Sequence, residues 1–520
     1  MTNLNEQRKD ELRKKLGYPL DTPDSERPEI VPGKYIAKVD FTDTIREIRD
    51  QILPKSRKVI LSLLKKRFDD KTAIQYEEVI NKSTLSTLME RYTIDEYLDI
   101  DSVDYKNAID IDKIRIEYPD VSGWIRIWMA TVSFHSLGDT MGYKDADWEF
   151  NEGNVHAKPE YINEMIYQFI SLGGVNDIRI RNWKASDDTI MYLATLDVLL
   201  TVTLGEHFTS VGERFRQAYL DCQPLMVGRD PGQTTLDSLA YMERLPWDGL
   251  QYNPRSIGNG SAMRSGCIGL ICPGYTGLVA LIRLSIVSSC ITHNSATAIM
   301  ASITAAVFTS YAIEKKPVAS WPHRLLKLMK SGIIDTLVKM TVPKIYEPFQ
   351  QDKIIYIGQW QTYVSLRFSG LTPKFGLKHM INPVLRFQYL KENFSKGCGT
   401  PGGCGDDCMI MAYDAVLESN GVFEKLIVYS ILHPGDSDTV GAVAFSWFAA
   451  YYFSSRLETM TNRLIRDLEF KDRINNLLLK HFSEIVSPYY GEMYLNVALK
   501  HVRKYGIKIN TSDFSNVILE

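Results

Sequence analysis

Apolar residues recur at helical spacing in long stretches from about residue 121 to residue 482, whereas strand-like alternation is scarce. Such spacing gives each helix one face that a core can bury. Loops rich in Gly, Pro, Asn and Asp separate the stretches, as is typical of connections between helices. The pattern therefore predicts an all-α domain. The predicted helices cover 124–140, 158–172, 187–205, 208–222, 264–290, 295–315, 322–340, 353–368, 406–420, 422–433, 437–455 and 456–482.

One predicted helix is apolar on every side. The segment 294-NSATAIMASITAAVFTSYAI-313 is also rich in Ala, Ser and Thr, whose small side chains allow close packing. A helix without a polar face is typical of a protein interior. We therefore expect this helix at the centre of the domain.

Residues 1–120 are more charged and contain few apolar clusters. Short amphipathic helices are predicted at 43–53 and 55–68, and Pro54 separates them. This part of the sequence carries no recognisable catalytic motif. We interpret it as an N-terminal extension, for packing or partner binding, that precedes the main domain at 121–520.

The composition is that of a globular protein, because 45% of the 520 residues are hydrophobic and 24% are charged. With a formal net charge of -3, the chain lacks the basic field that nucleic-acid binding requires.

We see no secretory signal and no membrane anchor, and we expect a monomer. The seven cysteines are few, odd in number and mostly within apolar runs, which favours free thiols and a cytoplasmic location. The spacing of Cys398, Cys404 and Cys408 matches no usual zinc site.

Four oxygen-bearing side chains stand together at the start of an apolar helix in 433-HPGDSDTVGAV-443. Asp436, Ser437, Asp438 and Thr439 are all suitable N-caps, since their oxygens accept hydrogen bonds from unpaired backbone N–H groups. Capping needs only one such residue. The segment is therefore compatible with a cap alone or with a site that needs several oxygens.

The same pattern recurs in 186-SDDTIMYLATLDVLL-200, where Ser186, Asp187, Asp188 and Thr189 begin a helix. Adjacent helical residues point about 100° apart, so Asp187 and Asp188 address different points in space, as two neighbouring cations would require. Carboxylates brought together without basic partners repel each other unless cations are bound. Hard oxygen ligands select Mg²⁺, Mn²⁺ or Ca²⁺, and a pair of such ions can orient and polarise a substrate. We predict that the two motifs meet in space.

A glycine-rich loop, 256-SIGNGSAMR-264, leads into another helix. Gly258 and Gly260 allow close backbone approach, and the start of a helix favours an anion such as a phosphate. By itself this pattern is weak evidence. Arg264 could contact the phosphate, but we expect it to pair within the fold.

In their order along the chain, 138-GDTMGYKDADWEF-150, 186-SDDTIMYLAT-195, 258-GNGSAMRSGCIGL-270, 402-GGCGDDCMIMAYDAVL-417 and 433-HPGDSDTVGAV-443 resemble the ADP-ribosylglycohydrolase family. The likeness covers about 121–482 and is closest to the ADP-ribosylarginine hydrolases. It implies a compact orthogonal bundle of helices, two Mg²⁺ ions with Mn²⁺ as an alternative, and a catalytic domain at 121–520. It also implies removal of mono-ADP-ribose from arginine side chains of proteins, with ADP-ribosylated protein and ADP-ribose as partners.

The resemblance also assigns residues. The implied metal ligands are Ser186, Asp187, Asp188, Asp436, Asp438 and Thr439, and the group acting on the attacking water is Asp187 or Asp188. The implied substrate-binding residues are Tyr143, Glu149, Gly258, Asn259, Gly260, Ser261, Gly403, Cys404, Gly405 and Asp406, with a structural role equally open for Tyr143 and Glu149.

The chain departs from the arginine hydrolases at 404–407, where a Ser-Gly-His-Asp run is replaced by Cys-Gly-Asp-Asp. Because Asp406 stands in place of a His, the acceptor linkage is less certain than the reaction class. Hydrolysis of a serine or O-acyl linkage is one alternative. A catalytically silent ADP-ribose-binding scaffold is another, although the intact acidic motifs argue against it.

Five further residues invite a functional role that the sequence does not require. We interpret His135, His293 and His433 as packing groups or as neighbours of the site and not as ligands. Trp360 and Tyr363 are expected in the core or in the wall of a cleft, with stacking on a base as the alternative.

Overall fold

A computed structural model describes residues 121–150, 161–202, 208–397 and 399–484, and it confirms the all-α prediction. The extension at 1–120, with its predicted helices at 43–53 and 55–68, lies outside the described residues. The helices are α1 Val121–Tyr143, α2 Tyr161–Ser171, α3 Gly174–Asp177, α4 Asp187–Leu199, α5 Phe208–Met226, α6 Gln233–Met242, α7 Gly266–Ile271, α8 Gly274–Thr292, α9 Ala296–Ile313, α10 Trp321–Lys330, α11 Ile333–Thr341, α12 Tyr346–Arg367, α13 Lys378–Ile381, α14 Pro383–Phe394, α15 Gly405–Ser419, α16 Phe423–Ser430, α17 Ser437–Tyr452, α18 Ser455–Asp467 and α19 Lys471–Glu484. A two-stranded antiparallel hairpin joins β1 Phe368–Ser369 to β2 Thr372–Pro373.

Three predicted helices were too long, because each is two helices in the structure. The predicted helix at 264–290 breaks at Pro273, which has no N–H group to continue the α7 hydrogen-bond ladder. The one at 322–340 breaks at Gly332, whose φ of 80° lies in the left-handed region. The one at 456–482 breaks between α18 and α19. The pattern also missed α6 and α14.

The apolar helix α9 lies at the centre of the fold, as predicted, and every one of its residues is buried. Its Phe308 ring contacts the rings of Trp321, Trp360, Tyr413 and Trp447 at centroid distances of 5.1 to 5.4 Å. By length and composition α9 could cross a membrane, but here it is a fully enclosed core helix. These rings join α9 to α10, α12, α15 and α17.

Trp360 and Tyr363 belong to this core. Both side chains are fully buried, and their rings pack on each other at 5.7 Å. Full burial leaves neither ring a free face for a base. The interpretation as core residues is confirmed, and the stacking alternative is wrong.

Helices α1 and α17 cross with their backbones almost in contact. A Cβ atom built on Gly138 would lie 2.3 Å from the Gly441 carbonyl oxygen, and one on Gly142 would lie 2.3 Å from that of Ser437. Only glycine fits at such a separation. The contact presses the end of α1 against the first turns of α17, where the second acidic motif lies.

We expect Gly138→Ala to lower the free energy of unfolding by about 3 kcal/mol, because the added methyl group would force the two backbones apart. Gly358→Ala is the matched control, since a Cβ there meets nothing within 4 Å and helical Ala is preferred to Gly. Urea denaturation of both variants measures the difference. Equal stabilities would contradict the tight crossing.

A buried network of charges ties α12, α14 and α15 together. Arg367 Nε donates to Asp414 Oδ1 at 2.7 Å, and Arg367 Nη2 donates to Glu418 Oε2 at 2.6 Å. The Arg386 guanidinium pairs with the other oxygen of Asp414, and Tyr363 donates its hydroxyl to Asp414 at 2.5 Å. These partners hold the pKa of Asp414 below its usual value even though burial acts to raise it.

Candidate metal centre

The first acidic motif forms the first turn of α4. Ser186 is the N-cap, and its hydroxyl oxygen accepts a hydrogen bond from the Asp188 N–H at 3.1 Å. Capping thus accounts for one residue of the motif. Asp187 and Asp188 are also buried, and within the described part of the chain Asp188 Oδ2 has no hydrogen-bond partner. A buried carboxylate oxygen without a partner is costly unless a ligand meets it.

Asp139 of α1 fixes the position of this turn. Its Oδ1 accepts from the Ser186 N–H and its Oδ2 from the Thr189 N–H, both at 3.0 Å, and Oδ2 also accepts from the Thr189 hydroxyl. The sequence prediction missed this role. Asp139 lies inside a helix among apolar neighbours, so no spacing rule distinguishes it from a capping or surface residue.

The second motif begins α17. Asp436 is the N-cap, and its Oδ1 accepts from the Thr439 N–H at 3.2 Å. Asp438 Oδ1 accepts from the same N–H at 2.8 Å. Ser437 donates its hydroxyl to the Gly142 carbonyl of α1 at 2.9 Å, which adds a polar contact to the crossing of α1 and α17.

The structure brings the two motifs together, as predicted. Carboxylate oxygens of Glu149, Asp436 and Asp438 lie within 4.8 Å of one another and could hold a metal ion. From the other motif, Asp188 is close enough to Thr439 for the hydroxyl to lower the Asp188 pKa by hydrogen bonding. We call Glu149, Asp187, Asp188, Asp436 and Asp438 the acidic group.

Glu149 reaches the acidic group from a loop. After α1 the chain turns through Lys144–Ala146, all with positive φ, and the Phe150 N–H then donates to the Gly435 carbonyl at 3.0 Å. This turn docks Glu149 beside Asp436. The resemblance implies substrate binding for Glu149, with a structural role equally open, and in the structure Glu149 lies among the carboxylates. No periodicity marks a residue in a left-handed turn.

Burial and mutual repulsion dominate the electrostatics of the acidic group. Burial raises the pKa of Glu149 well above its usual value, and Asp436, Asp187 and Asp188 raise it further. Burial also raises the pKa of Asp188 and Asp438, and carboxylates of both motifs add to each shift. The group therefore resists full ionisation unless cations neutralise it.

The ligand atoms of the acidic group suit a hard divalent cation. All of them are oxygens, which select Mg²⁺, Mn²⁺ or Ca²⁺. A second set, Cys404, Asp406 and Asp407, also comes within 4.8 Å but does not fit a metal. Cys404 is disulfide-bonded, and both Asp407 oxygens accept backbone N–H groups, from Gly402 and Cys404.

The disulfide at Cys404 corrects the expectation that all cysteines are free. Among the described residues, Cys222, Cys267, Cys272, Cys290 and Cys408 are free thiols.

The two glycine-rich segments lie side by side next to the second motif. The Asn259 N–H donates to the Gly403 carbonyl at 3.2 Å, and the Gly405 N–H donates to the Ile257 carbonyl at 2.8 Å. The Asn259 side-chain amide donates to the Gly402 carbonyl at 2.8 Å and to Asp436 Oδ2 at 2.9 Å. The predicted substrate-binding loops therefore border the acidic group.

Much of the hydrogen-bonding capacity of these loops is already used. Ser261 donates its hydroxyl to the Ala298 carbonyl at 3.1 Å, and the Gly403 N–H donates to the Thr400 carbonyl at 3.0 Å. A Cβ on Gly260 would lie 2.7 Å from His293 Cε1, so this glycine is required by packing. The main contribution of these loops to the site is therefore their packed backbone conformation, and unused hydrogen-bond donors contribute less.

Arg264 pairs within the fold, as predicted. It is fully buried and donates to the Gly260 carbonyl and to the Ser288 carbonyl, both at 2.7 Å. It also donates to the Thr292 hydroxyl at 2.8 Å.

Asp406, the residue that departs from the arginine hydrolases, faces α12. Gln359 donates its side-chain amide to Asp406 Oδ2 at 3.3 Å, and burial raises the pKa of Asp406. The side chain is only half-buried. The hydrogen bond from Gln359 turns the Asp406 carboxylate toward α12.

The histidines serve in packing, as expected. The His135 ring stacks on Tyr192 at 3.8 Å and shares a 2.9 Å hydrogen bond with the Met263 carbonyl. His433 accepts from the Gly435 N–H at 3.2 Å. Burial lowers the pKa of both rings to about 4, so they are neutral at physiological pH. His293 supports the glycine loop, as described above.

Comparisons of the sequence with known proteins identify one family. Residues 135–489 match the sequence model of a family described as ADP-ribosylglycohydrolase. Protein L444 of Acanthamoeba polyphaga mimivirus, provisionally named an ADP-ribosyl glycohydrolase, is 48% identical over 402 residues, which are 77% of each chain. ADP-ribosylhydrolase ARH1 of Dictyostelium discoideum is 31% identical over 61% of this chain and 84% of its own. A solved chain described as an ADP-ribosylglycohydrolase-related protein complex covers 69% of this chain and 98% of its own, with 17% identity and a TM-score of 0.38.

Proposed function

Because this chain belongs to the ADP-ribosylglycohydrolase family, we propose that it is a metal-dependent hydrolase that removes mono-ADP-ribose from arginine side chains of proteins and so reverses ADP-ribosylation. Membership in the family makes it a hydrolase of ADP-ribosyl bonds. The arginine linkage and the metal are the finer parts of the proposal.

The observation that carries the proposal is the convergence of the acidic group. Glu149, Asp436 and Asp438 offer oxygens within 4.8 Å of one another, and Asp187 and Asp188 raise the pKa of Glu149 from the other motif. A fold gains nothing by burying these carboxylates together without a counter-ion. A binding site for divalent cations explains the arrangement.

The residues present fit such ions. Asp188 Oδ2 is a buried oxygen to which none of the residues that the structure describes donates a hydrogen bond, and Asp438 keeps one oxygen beyond its backbone contact. We propose that Glu149 joins Ser186, Asp187, Asp188, Asp436, Asp438 and Thr439 in holding two Mg²⁺ ions, or Mn²⁺. When bound, the ions would neutralise the carboxylates and orient the ribose hydroxyls of the substrate.

The chain's own groups supply the rest of the reaction. Hydrolysis at the anomeric carbon passes through an oxocarbenium-like ribose, so a well-placed water and a stable leaving group provide most of the rate. Asp187 or Asp188 accepts a proton from that water, and the fixed first turn of α4 orients the accepting carboxylate. The bond between the anomeric carbon and the guanidino nitrogen breaks with its electron pair on nitrogen, so the cationic group leaves as neutral guanidine, and the proton taken from the water can then protonate it.

The adjoining loops would hold the remainder of ADP-ribose. Gly258–Ser261 and Gly403–Asp406 border Asp436 through Asn259, which supports a position for them beside the ribose. Tyr143, which donates its hydroxyl to Asp230, would lie on the acceptor side. These roles follow the family resemblance.

Release of ADP-ribose from a purified peptide that carries ADP-ribosylarginine tests the proposal directly. We expect turnover with Mg²⁺ that ends when a chelator is added. Release only from a serine-linked or O-acyl substrate would replace the arginine linkage, which the Asp406 departure keeps open. Binding of ADP-ribose without turnover of any of these substrates would favour a scaffold.

Removal of divalent cations should make stability depend on pH in a defined direction. Because the folded-state pKa values of the acidic group are raised, these carboxylates stabilise the fold below about pH 4. That contribution is lost as pH rises through the raised values. Bound cations reverse the loss, so the gain in melting temperature on adding Mg²⁺ should be larger at pH 8 than at pH 5.

Differential scanning fluorimetry with chelator or Mg²⁺ measures this gain, and NaCl at equal ionic strength is the control for screening. A gain that is absent, or that does not grow with pH, would contradict cation binding by the acidic group.

A further inference from the structure

A loop at 228–232 forms one edge of the site and is held firmly in place. The Asp187 N–H donates to the Arg229 carbonyl at 3.3 Å, next to the acidic group. The Arg229 guanidinium forms a bidentate salt bridge with the Glu469 carboxylate, at 2.6 and 2.8 Å. It also donates to the Ala185 carbonyl at 2.6 Å. The Ala185 N–H in turn donates to Glu469 at 3.1 Å. These contacts lock the loop to the residues that precede α4.

Asp230 projects from this loop at the surface. It is exposed, and its backbone has a φ of 52°, a conformation that non-glycine residues adopt only where neighbouring contacts support it. Tyr143 donates its hydroxyl to Asp230 Oδ2 at 2.8 Å. The carboxylate therefore has a fixed direction, unlike most exposed aspartates.

Tyr143 connects Asp230 to the interior of the site. Burial raises the pKa of the Tyr143 hydroxyl, and the carboxylates of Asp230, Glu149 and Asp438 raise it further, so Tyr143 lies near both Asp230 and the acidic group. Asp230 likewise contributes to the raised pKa of Glu149. Asp230 is thus an oriented negative charge on the solvent side of the catalytic carboxylates.

We propose that Asp230 is a specificity-determining residue that binds the guanidinium group of the substrate arginine. This inference rests on the proposed function. An ADP-ribosylated arginine keeps a cationic, planar guanidinium next to the bond that is cleaved, and carboxylates pair with such groups through charge-assisted hydrogen bonds. A serine or O-acyl acceptor has no such cation and gains nothing from Asp230. The residue would favour arginine substrates over neutral ones.

The test compares Asp230→Asn with wild type on an ADP-ribosylarginine peptide, with Mg²⁺ present. We expect KM to rise about tenfold or more, as for loss of a charge-assisted hydrogen bond, with a smaller change in kcat. Inhibition by free ADP-ribose, which lacks the guanidinium, should be unchanged. Inhibition by agmatine, a free guanidinium compound, should weaken in the variant.

Asp237→Asn is the matched control, because the substitution removes the same charge. Asp237 is an exposed aspartate on α6 whose carboxylate accepts a hydrogen bond from Gln233 at 2.7 Å. It should behave as wild type. Tyr143→Phe separates charge from orientation, since it keeps the Asp230 charge and removes only the hydroxyl, and its KM should fall between those of wild type and Asp230→Asn.

The outcomes distinguish this inference from the proposed function. If wild type releases no ADP-ribose from the arginine peptide, the proposed function fails. If wild type is active and Asp230→Asn keeps the same KM and the same agmatine inhibition, the inference alone is overturned. Equal losses of ADP-ribose and agmatine binding would also overturn it, because they would indicate a general disturbance of the site.

Discussion

Asp188→Asn is expected to reduce ADP-ribose release by about a thousandfold or more, as for loss of a group that acts in the transition state. The substitution keeps the shape of the side chain but removes the charge of a carboxylate whose Oδ2 has no hydrogen-bond partner among the described residues. Asp438→Asn should have a similar effect from the opposite motif.

The same variants should be more stable than wild type when cations are removed. Burial and the charges of Asp139, Asp187 and Asp436 raise the pKa of Asp188, so neutralising it relieves repulsion. We expect the metal-free free energy of unfolding to rise by on the order of 1 kcal/mol. Loss of activity combined with a gain in metal-free stability distinguishes a functional carboxylate from a structural one.

Asp197→Asn is the control on the same helix, because Asp197 is exposed on α4. It should change neither turnover nor stability. Peptide turnover and urea denaturation with a chelator provide the two measurements. An Asp188→Asn protein with normal turnover would refute the assignment of the acidic group.

Asp414→Ala is expected to destabilise the protein by about 3–5 kcal/mol, because it removes the carboxylate that pairs with buried Arg386 and leaves buried Arg367 paired with Glu418 alone. Arg367 and Arg386 are almost completely buried and both pair with Asp414. Removing one member of such a network costs more than removing the whole network would.

Tyr363→Phe provides the comparison for Asp414→Ala. It removes one hydrogen bond to the carboxylate, at 2.5 Å, and leaves both ion pairs, so its cost should be about 1–2 kcal/mol. Since the folded-state pKa of Asp414 is lowered, its stabilisation exists above the unfolded value near pH 4 and is lost as pH falls through the folded value. The difference between wild type and Asp414→Ala should therefore shrink in acid. A difference that is small and independent of pH would contradict the network.

Helices with a strong apolar pattern were predictable, and so were their first residues where a cap is present. Ser186, Ser295 and Asp436 all act as N-caps in the structure. Helix α6 was missed because Gln233–Met242 is short and most of its apolar residues cluster in its second half instead of recurring at helical spacing. The break at Pro273 was missed because apolar residues continue on both sides of it, and periodicity does not detect a lost backbone hydrogen bond.

The site residues that belong to a repeated sequence motif were predictable. Those that reach the site through a loop or a long-range contact were not. Two helix starts with paired aspartates suggested the convergence of Asp187 and Asp188 with Asp436 and Asp438. Glu149 is placed by a left-handed turn and by a backbone contact to Gly435, neither of which has a sequence period. Asp230 likewise depends on a long-range contact with Tyr143.

The glycine crossing of α1 and α17 has a consequence for ion selection. Because main chain touches main chain there, with Gly138 against Gly441, no side chain can act as an adjustable spacer between the helices. Asp139 on α1 then fixes the α4 carboxylates relative to those of α17. We expect the acidic group to discriminate between cations by ionic radius and to reject a large ion such as Ca²⁺. Calcium requires longer bonds to oxygen, and a rigid backbone cannot move the carboxylates apart to provide them.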